Sequence, residues 1–353
     1  MRSLPLLCLF LPYCFLACQQ VPEQPLFDLT STAVIGQATE KGRSGAANVV
    51  FQSTDDGQSW QDISAGLPQD LKPSTFFAGD GELFLGGSNN IYRKRTASKT
   101  ANWEKEKSLE QPVLTLMAGI GGIEMPTEQS FNKVSAGNGG VIAFSTNGRF
   151  VQKLNGATVW KPLFTDFEGK TVRNVFTAKN GSVFIGSDYG LFKSDDEGKT
   201  WKHVMQNDWV IDIVESNGLL LCTSQKGILR STDGGEHWDV VLNEGGVGIA
   251  VAAINGGFAA ITYNTKSQTR RIRTSTDGGK TWQPIDAGLP PSQLISSIQQ
   301  VGDYFYCGHP KGVYRSADQG KTWNLLLPTI GEKVFNLSVS DGVLYAVLQE
   351  GGC

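Results

Sequence analysis

The chain has 353 residues, with 31 Lys and Arg against 34 Asp and Glu, a net charge of −3, 18% charged residues, 10% aromatics and 42 Gly. So balanced a chain has no general electrostatic pull toward nucleic acid, and its apolar content excludes wholesale disorder. Abundant Gly beside β-branched and aromatic residues points to many short strands joined by tight turns.

In chain order, the first element is the N-terminal segment. A single Arg2 precedes an apolar run from Leu4 to Ala17, too short to cross a bilayer comfortably but suited to a secretory signal. The run ends Phe15-Leu16-Ala17-Cys18, which resembles a bacterial lipobox with Cys18 as the acylated residue. An ordinary cleaved signal stays open, as does no targeting role. This reading divides the chain into a signal over 1–17, a lipid-anchored tether over 18–28 and a folded domain over 29–353. Among the later cysteines, Cys222, Cys307 and Cys353 show no disulfide spacing. His203, His237 and His309 have no second ligand at metal-site spacing, so neither a metal nor a cofactor is expected.

From Ser53 onward the chain repeats itself. Five octapeptides follow the pattern S-x-D-x-G-x-[TS]-W, at Ser53–Trp60, Ser194–Trp201, Ser231–Trp238, Ser275–Trp282 and Ser316–Trp323, with His237 in the Thr slot of the third. Trp103 and Trp160 fall where degraded copies belong. The Trp residues recur about every forty residues, with one longer gap between Trp103 and Trp160. Each unit also carries an Asn-Gly or Asp-Gly turn between apolar segments, at Asp80-Gly81, Asn180-Gly181, Asn217-Gly218, Asn255-Gly256 and Asp341-Gly342. That is a hairpin signal.

Each unit therefore reads as four antiparallel strands, here A to D, with the octapeptide joining C to D. The expected fold is all-β: a seven-bladed β-propeller. The segment before and around the first octapeptide supplies only strands C and D, and Phe335–Leu348 supplies only A and B. Together they complete one blade and close the ring. The irregular insertion 112–131 leaves six or eight blades open, and reads as a lid, a docking loop or a packed extra turn.

These octapeptides resemble the Asp box, or BNR repeat, of sialidases, sortilin-type receptors and related propellers. The resemblance implies a structural role for Asp55, Asp196, Asp233, Asp277 and Asp318, on the periphery of the blades. The Gly-Lys-Thr triplets inside several copies lack the upstream Gly and the strand-to-helix setting of a phosphate loop.

In propellers, ligands bind where B–C turns and D–A links surround the channel mouth. Those segments hold Arg149, Asp188, Tyr189, Lys226, Arg270, Arg271, His309 and Lys311, and Asp166, Glu168, Asp208, Trp209 and Glu332. Arg149, Tyr189, Trp209, Lys226, Arg271 and His309 are the ligand-binding candidates, because an aromatic beside charged groups suits a sugar ring or a peptide side chain. Asp166, Glu168, Asp188 and Asp208 are the candidate catalytic carboxylates.

Two functions compete. A single propeller behind a lipoprotein-like signal resembles the photosystem II assembly and stability factor family, which implies a scaffold or assembly role with a basic patch, here Arg149, Lys226, Arg270, Arg271 and Lys311, contacting the partner; the expected module is a monomer that binds a protein or glycan. The alternative is an exo-acting glycoside hydrolase similar to sialidases or xyloglucan-cleaving enzymes. No Arg-Ile-Pro start or Tyr–Glu pair of a sialidase can be placed here, which favours the interaction module in the cell envelope.

Overall fold

The computed structural model describes residues 48–87, 90–96, 102–106, 131, 133–137, 139–163, 166–167 and 169–350. The signal, the tether, Cys18, Glu168 and 112–130 of the insertion lie outside these residues. The described residues form 28 strands in seven four-stranded antiparallel sheets. The chain is a seven-bladed β-propeller.

The first two strands, β1 (Val50–Ser53) and β2 (Gln61–Asp62), belong to the closing blade. Blade 1 is β3 (Pro73–Gly79), β4 (Glu82–Gly87), β5 (Asn90–Arg95) and β6 (Glu104–Lys105). Blade 2 is β7 (Lys133–Gly137), β8 (Gly140–Phe144), β9 (Phe150–Leu154) and β10 (Lys161–Leu163). Blade 3 is β11 (Val172–Thr177), β12 (Val183–Ser187), β13 (Gly190–Ser194) and β14 (Lys202–Gln206). Blade 4 is β15 (Ile213–Ser216), β16 (Leu219–Ser224), β17 (Gly227–Ser231) and β18 (Asp239–Leu242). Blade 5 is β19 (Gly245–Ile254), β20 (Gly257–Asn264), β21 (Thr269–Ser275) and β22 (Gln283–Pro284). Blade 6 is β23 (Ser297–Val301), β24 (Tyr304–His309), β25 (Gly312–Ser316) and β26 (Asn324–Pro328). The seventh blade joins both ends of the domain, in the order β2–β1–β28 (Val343–Glu350)–β27 (Lys333–Ser340).

The A strands of successive blades touch in the cyclic order β3, β7, β11, β15, β19, β23, β27 and back to β3, which closes the ring around a channel. Each B strand is buried on both faces because each blade is packed between two others. In β16, Leu220 and Cys222 join the core shared with blade 3, whereas Leu221 joins the core shared with blade 5. These strands therefore read as apolar runs rather than as alternating patterns.

The A–B turns are two kinds. At Asp80-Gly81, Asn217-Gly218 and Asp341-Gly342 both residues have positive φ, as a type I′ hairpin requires. At Asn180-Gly181 and Asn255-Gly256 only the glycine does. Asn255 is instead held by the next blade, donating its N–H to Gln300 Oε1 (2.8 Å) and its side-chain amide to the Gly302 carbonyl (2.9 Å). Because strands alternate in direction, A–B turns and octapeptide turns share one face of the disc. B–C turns and D–A links share the other, called here the rim face.

Candidate functional site

The octapeptides form one repeated knot. In the fourth copy, Asp277 Oδ1 accepts the Ser275 hydroxyl (2.8 Å) and the Thr281 N–H (2.9 Å), and Oδ2 accepts the Thr281 hydroxyl (2.6 Å). Ser275 Oγ accepts the Gly279 N–H (2.9 Å). Asp55, Asp196 and Asp318 repeat this pattern, and Asp233 does so with His237 Nδ1 (2.7 Å) in place of a hydroxyl. Hydrogen bonds to the ionised form hold these carboxyls low. Backbone and side-chain bonds from Thr200 bring Asp196 to about 2, and Thr322 does the same for Asp318. With both carboxylate oxygens engaged within the turn, on the face opposite the rim, the knot is local scaffolding.

The Trp that ends each copy reaches the preceding blade. Trp323 packs with Ile272, Ile285 and Leu289 of blade 5 and donates Nε1–H to the Ile285 carbonyl (2.8 Å). Trp103 does the same against the closing blade, donating to the Ile63 carbonyl (2.8 Å), and Trp160 sits edge-on to Phe84 of blade 1. The two degraded copies thus keep the wedge, and neither carries the octapeptide's Asp.

On the rim face, the carboxylates sit in different settings. Asp188 is held bidentate by Arg173 (2.6 and 3.1 Å) at the exposed turn between β12 and β13. Asp208 is 3% exposed, and its Oδ1 accepts the N–H groups of Trp209 and Gln225, both at 2.8 Å. It ties the link between blades 3 and 4 to the B–C turn of blade 4. Asp166 is exposed on the link after β10.

The binding candidates separate likewise. Arg271 is clamped by Asp286 (2.6 and 3.2 Å), and Arg270 donates to the Ile295 carbonyl (2.9 Å). His309 is 2% exposed: Nε2 faces the Pro290 carbonyl (3.0 Å) and Nδ1 accepts the Lys311 N–H (3.1 Å), which assigns a neutral ring with the proton on Nε2. Burial, the largest cause, lowers its pKa. Arg149 lies half-buried on the turn after β8, and Lys226 is exposed on the turn after β16. The Val210 N–H bonds the Ser187 carbonyl (3.1 Å), which ties the link that carries Trp209 to the end of β12, two residues before Tyr189. Tyr189 is 61% exposed and Ile211 42%, and Trp209 is half-buried.

Sequence reasoning missed the channel itself. Strand register places Thr75, Lys133, Asn174, Asp212, Ala250, Ser297 and Asn336 at one level of the seven A strands, near the rim face. The belt is laced from blade to blade. Thr75 accepts the Val134 N–H (2.9 Å), Asp212 Oδ2 the Val251 N–H (3.1 Å) and Ser297 the Leu337 N–H (3.0 Å). Asp212 Oδ1 also accepts the Ile213 N–H (3.0 Å) and the Asn174 amide (3.4 Å). A carboxylate thus fills a position where blades 1 and 6 use a neutral hydroxyl. The belt residues sit at different positions along their strands and are of five residue types besides a repeated Asn, so only the register reveals the belt.

Burial pushes the Asp212 carboxyl up to about 6, against the lowering effect of the Val251 and Ile213 N–H bonds. A folded pKa above the ordinary carboxylate value means that protonation favours the folded state. The resulting stabilisation is complete below about pH 4 and is lost as pH rises through about 6. Relative to Asp212→Asn, the wild-type protein should lose on the order of 3 kcal/mol across that window in urea unfolding. A pH-independent difference would refute the assignment.

Residues 273–284, which contain the fourth octapeptide, match the BNR/Asp-box repeat family. No curated protein matches the chain. YCF48 bound to D1 peptide is a similar solved structure, with a TM-score of 0.54 and 15% identity over 87% of this chain and 88% of its own. The extracellular domain of a one-component system from B. thetaiotaomicron is similar at a TM-score of 0.56 and 14% identity, over 77% of this chain and 36% of its own. An ancestral GH74 enzyme reaches a TM-score of 0.57 at 13% identity, over 85% of this chain and 45% of its own. These three likenesses share the propeller fold.

Proposed function

We propose that this propeller of BNR/Asp-box repeats is an extracytoplasmic interaction module that docks a protein segment or a glycan on its rim face. In this reading the chain is exported and held at a membrane through an acylated Cys18. The observation that carries the reading is the exposure of Tyr189 and Ile211 on a rim-face turn and its adjoining link, which also carry half-buried Trp209 and Asp188, paired with Arg173, while Lys226 is exposed on the next rim-face turn. Exposed aromatics on a rigid base lose little entropy on docking, and rim charges then select the partner. The base is rigid because Asp208 and the Val210–Ser187 bond fix the link beneath Trp209. The peptide bound by the structural neighbour YCF48 supports a polypeptide ligand, and the extracellular bacterial neighbour supports export.

The glycoside hydrolase reading has less support in the geometry. Asp188 is neutralised by Arg173, and Asp208 is buried on backbone donors, so neither presents an open carboxylate. One experiment separates the two. The purified domain is screened against a displayed peptide library, a glycan array and a glycoside substrate panel. The double variant Tyr189→Ala, Trp209→Ala should lower affinity for the enriched ligands by about tenfold or more while retaining a cooperative melt. Equal binding by this folded variant would overturn the docking site. Turnover that Asp188→Asn or Asp208→Asn abolishes would replace the module with an enzyme.

A further inference from the structure

Three successive blades build the same turn on the rim face. In blades 4, 5 and 6 the B–C turn opens with a side chain that accepts the N–H two residues on. Ser224 Oγ accepts from Lys226 (2.8 Å), Asn264 Oδ1 from Lys266 (3.1 Å) and His309 Nδ1 from Lys311 (3.1 Å). Each turn thus fixes a lysine at its third residue. The turn itself does not demand one, because in blade 3 the same bond, from the Tyr189 N–H to Ser187 Oγ (3.1 Å), places a tyrosine there. Lys226, Lys266 and Lys311 are exposed, and none joins an ion pair among the described residues.

Along the rim-face turns and links from Gln225 to Lys311, the acidic residues are Glu244 and Asp286. Both are engaged: Glu244 holds Arg273 and the Thr262 hydroxyl, and Asp286 holds Arg271 and Arg273. The arc therefore carries an unbalanced positive charge on a chain whose net charge is −3. On the opposite face the same blades carry Asp233, Asp277 and Asp318, held ionised by hydrogen bonds from His237, Thr281 and Thr322. Charge is segregated across the disc, which orients it in the field of an anionic surface.

The lysines stand at two heights. Leu220, Phe258 and Phe305 share one level, each paired with the Ser that opens its octapeptide, and β20 runs two residues further above that level than β16 and β24 do. Two residues of strand are about 7 Å, within the Debye length of about 10 Å at 0.1 M salt, so a flat surface that touches Lys266 still attracts the other two. The chain also enters the ring on this face, because β1 is a C strand and C strands start at the rim.

We infer that the arc of Lys226, Lys266 and Lys311 docks on the anionic headgroups of a phospholipid bilayer. An acidic polypeptide would need carboxylates spaced to meet three turns on three blades, whereas a fluid headgroup layer offers charge at every point. The Tyr189 turn belongs to blade 3, outside this arc, and the inference does not depend on the docking of a partner there.

The test uses the chain from residue 18 onward carrying Cys18→Ser, so that no acyl group contributes. It is sedimented with vesicles of phosphatidylcholine alone, or of equal parts phosphatidylcholine and phosphatidylglycerol. The protein should bind the mixed vesicles at about 0.1 M salt, lose that binding at about 1 M, and leave pure phosphatidylcholine unbound. Each lysine contributes about fivefold to partitioning, so Lys226→Gln, Lys266→Gln and Lys311→Gln combined should lower it by about a hundredfold. The control changes the exposed octapeptide lysines of the opposite face, Lys199, Lys280 and Lys321, to Gln. It removes the same charge and should bind as the parent chain does. All six side chains are exposed, so both variants should keep the parent melt. Equal losses in the two variants would assign the binding to net charge and overturn the inference. No binding to the mixed vesicles, equal binding to phosphatidylcholine, or binding that survives high salt would do the same. Capture of poly-L-glutamate without capture of vesicles would give the arc to an acidic protein instead. Should a variant fail to fold, the lipid and salt comparisons on the parent chain decide alone.

Discussion

Gly320→Val should lower the unfolding free energy by about 3–5 kcal/mol, a large share of the roughly 5–15 kcal/mol of a typical domain. Gly320 occupies the fifth position of the last octapeptide with φ +84°, a conformation that β-branched residues resist. A Cβ there would lie 2.3 Å from Ile285 Cβ and 2.4 Å from the Ile285 carbonyl oxygen. That carbonyl accepts the Trp323 indole N–H, so relieving the overlap also disturbs the wedge between blades 5 and 6. Backbone strain and overpacking each cost about 1–3 kcal/mol. Gly278→Gln is the internal control. Gly278 also has positive φ (+74°), but the equivalent positions hold Asp56, Glu197 and Gln319 at positive φ, and its nearest neighbour is the flexible end of Leu219 at 2.8 Å. That variant should cost no more than about 1 kcal/mol. Equal losses in urea titrations of the two variants would sink the account of the octapeptide as an inter-blade device.

The same residue shows how far the sequence could be read. The octapeptide spells out its knot because Ser, Asp, Gly and Thr act within one turn, and such local chemistry leaves a local signature. The seven Trp residues in the repeat rhythm match the seven blades, since each blade needs one wedge, and only the irregular insertion left the count open. The target of the wedge was not visible: Trp323 meets Ile285 on the previous blade, and nothing near either residue announces the pairing. Trp60, packed with Phe335 and near Tyr306, hides its partners further still. At the rim, Asp208 looked like any acidic loop residue. It is buried because Gln225, seventeen residues away, needs an acceptor for its N–H. The belt was least legible of all. Lys133, Asn174 and Asp212 come from three strand starts, and only strand register brings them to one level.

Deleting residues 341–353, and with them the whole of β28, should abolish cooperative unfolding altogether. β28 lies between β27 and β1 and supplies both faces of the closing blade. Leu344, Ala346 and Leu348 pack with Tyr306 and Val313 of blade 6, while Tyr345 and Val347 pack with Leu83 and Leu85 of blade 1. Burying each large side chain contributes about 1.5–3 kcal/mol, so the strand accounts for roughly as much as the whole net stability of a domain. Its loss would also strand β1 with only the two-residue β2 and expose the edges of β1 and β27 to other chains. The truncated chain should therefore be recovered mostly as aggregate, with no sigmoidal transition in denaturant. A synthetic peptide of 341–350 added during refolding should restore the transition, and a scrambled peptide should not. This outcome would distinguish a ring, whose last strand secures every blade, from an open array of repeats that frays only at its end. A truncated chain that still melts cooperatively within about 10 °C of the intact protein would place the stability in the individual blades rather than in ring closure.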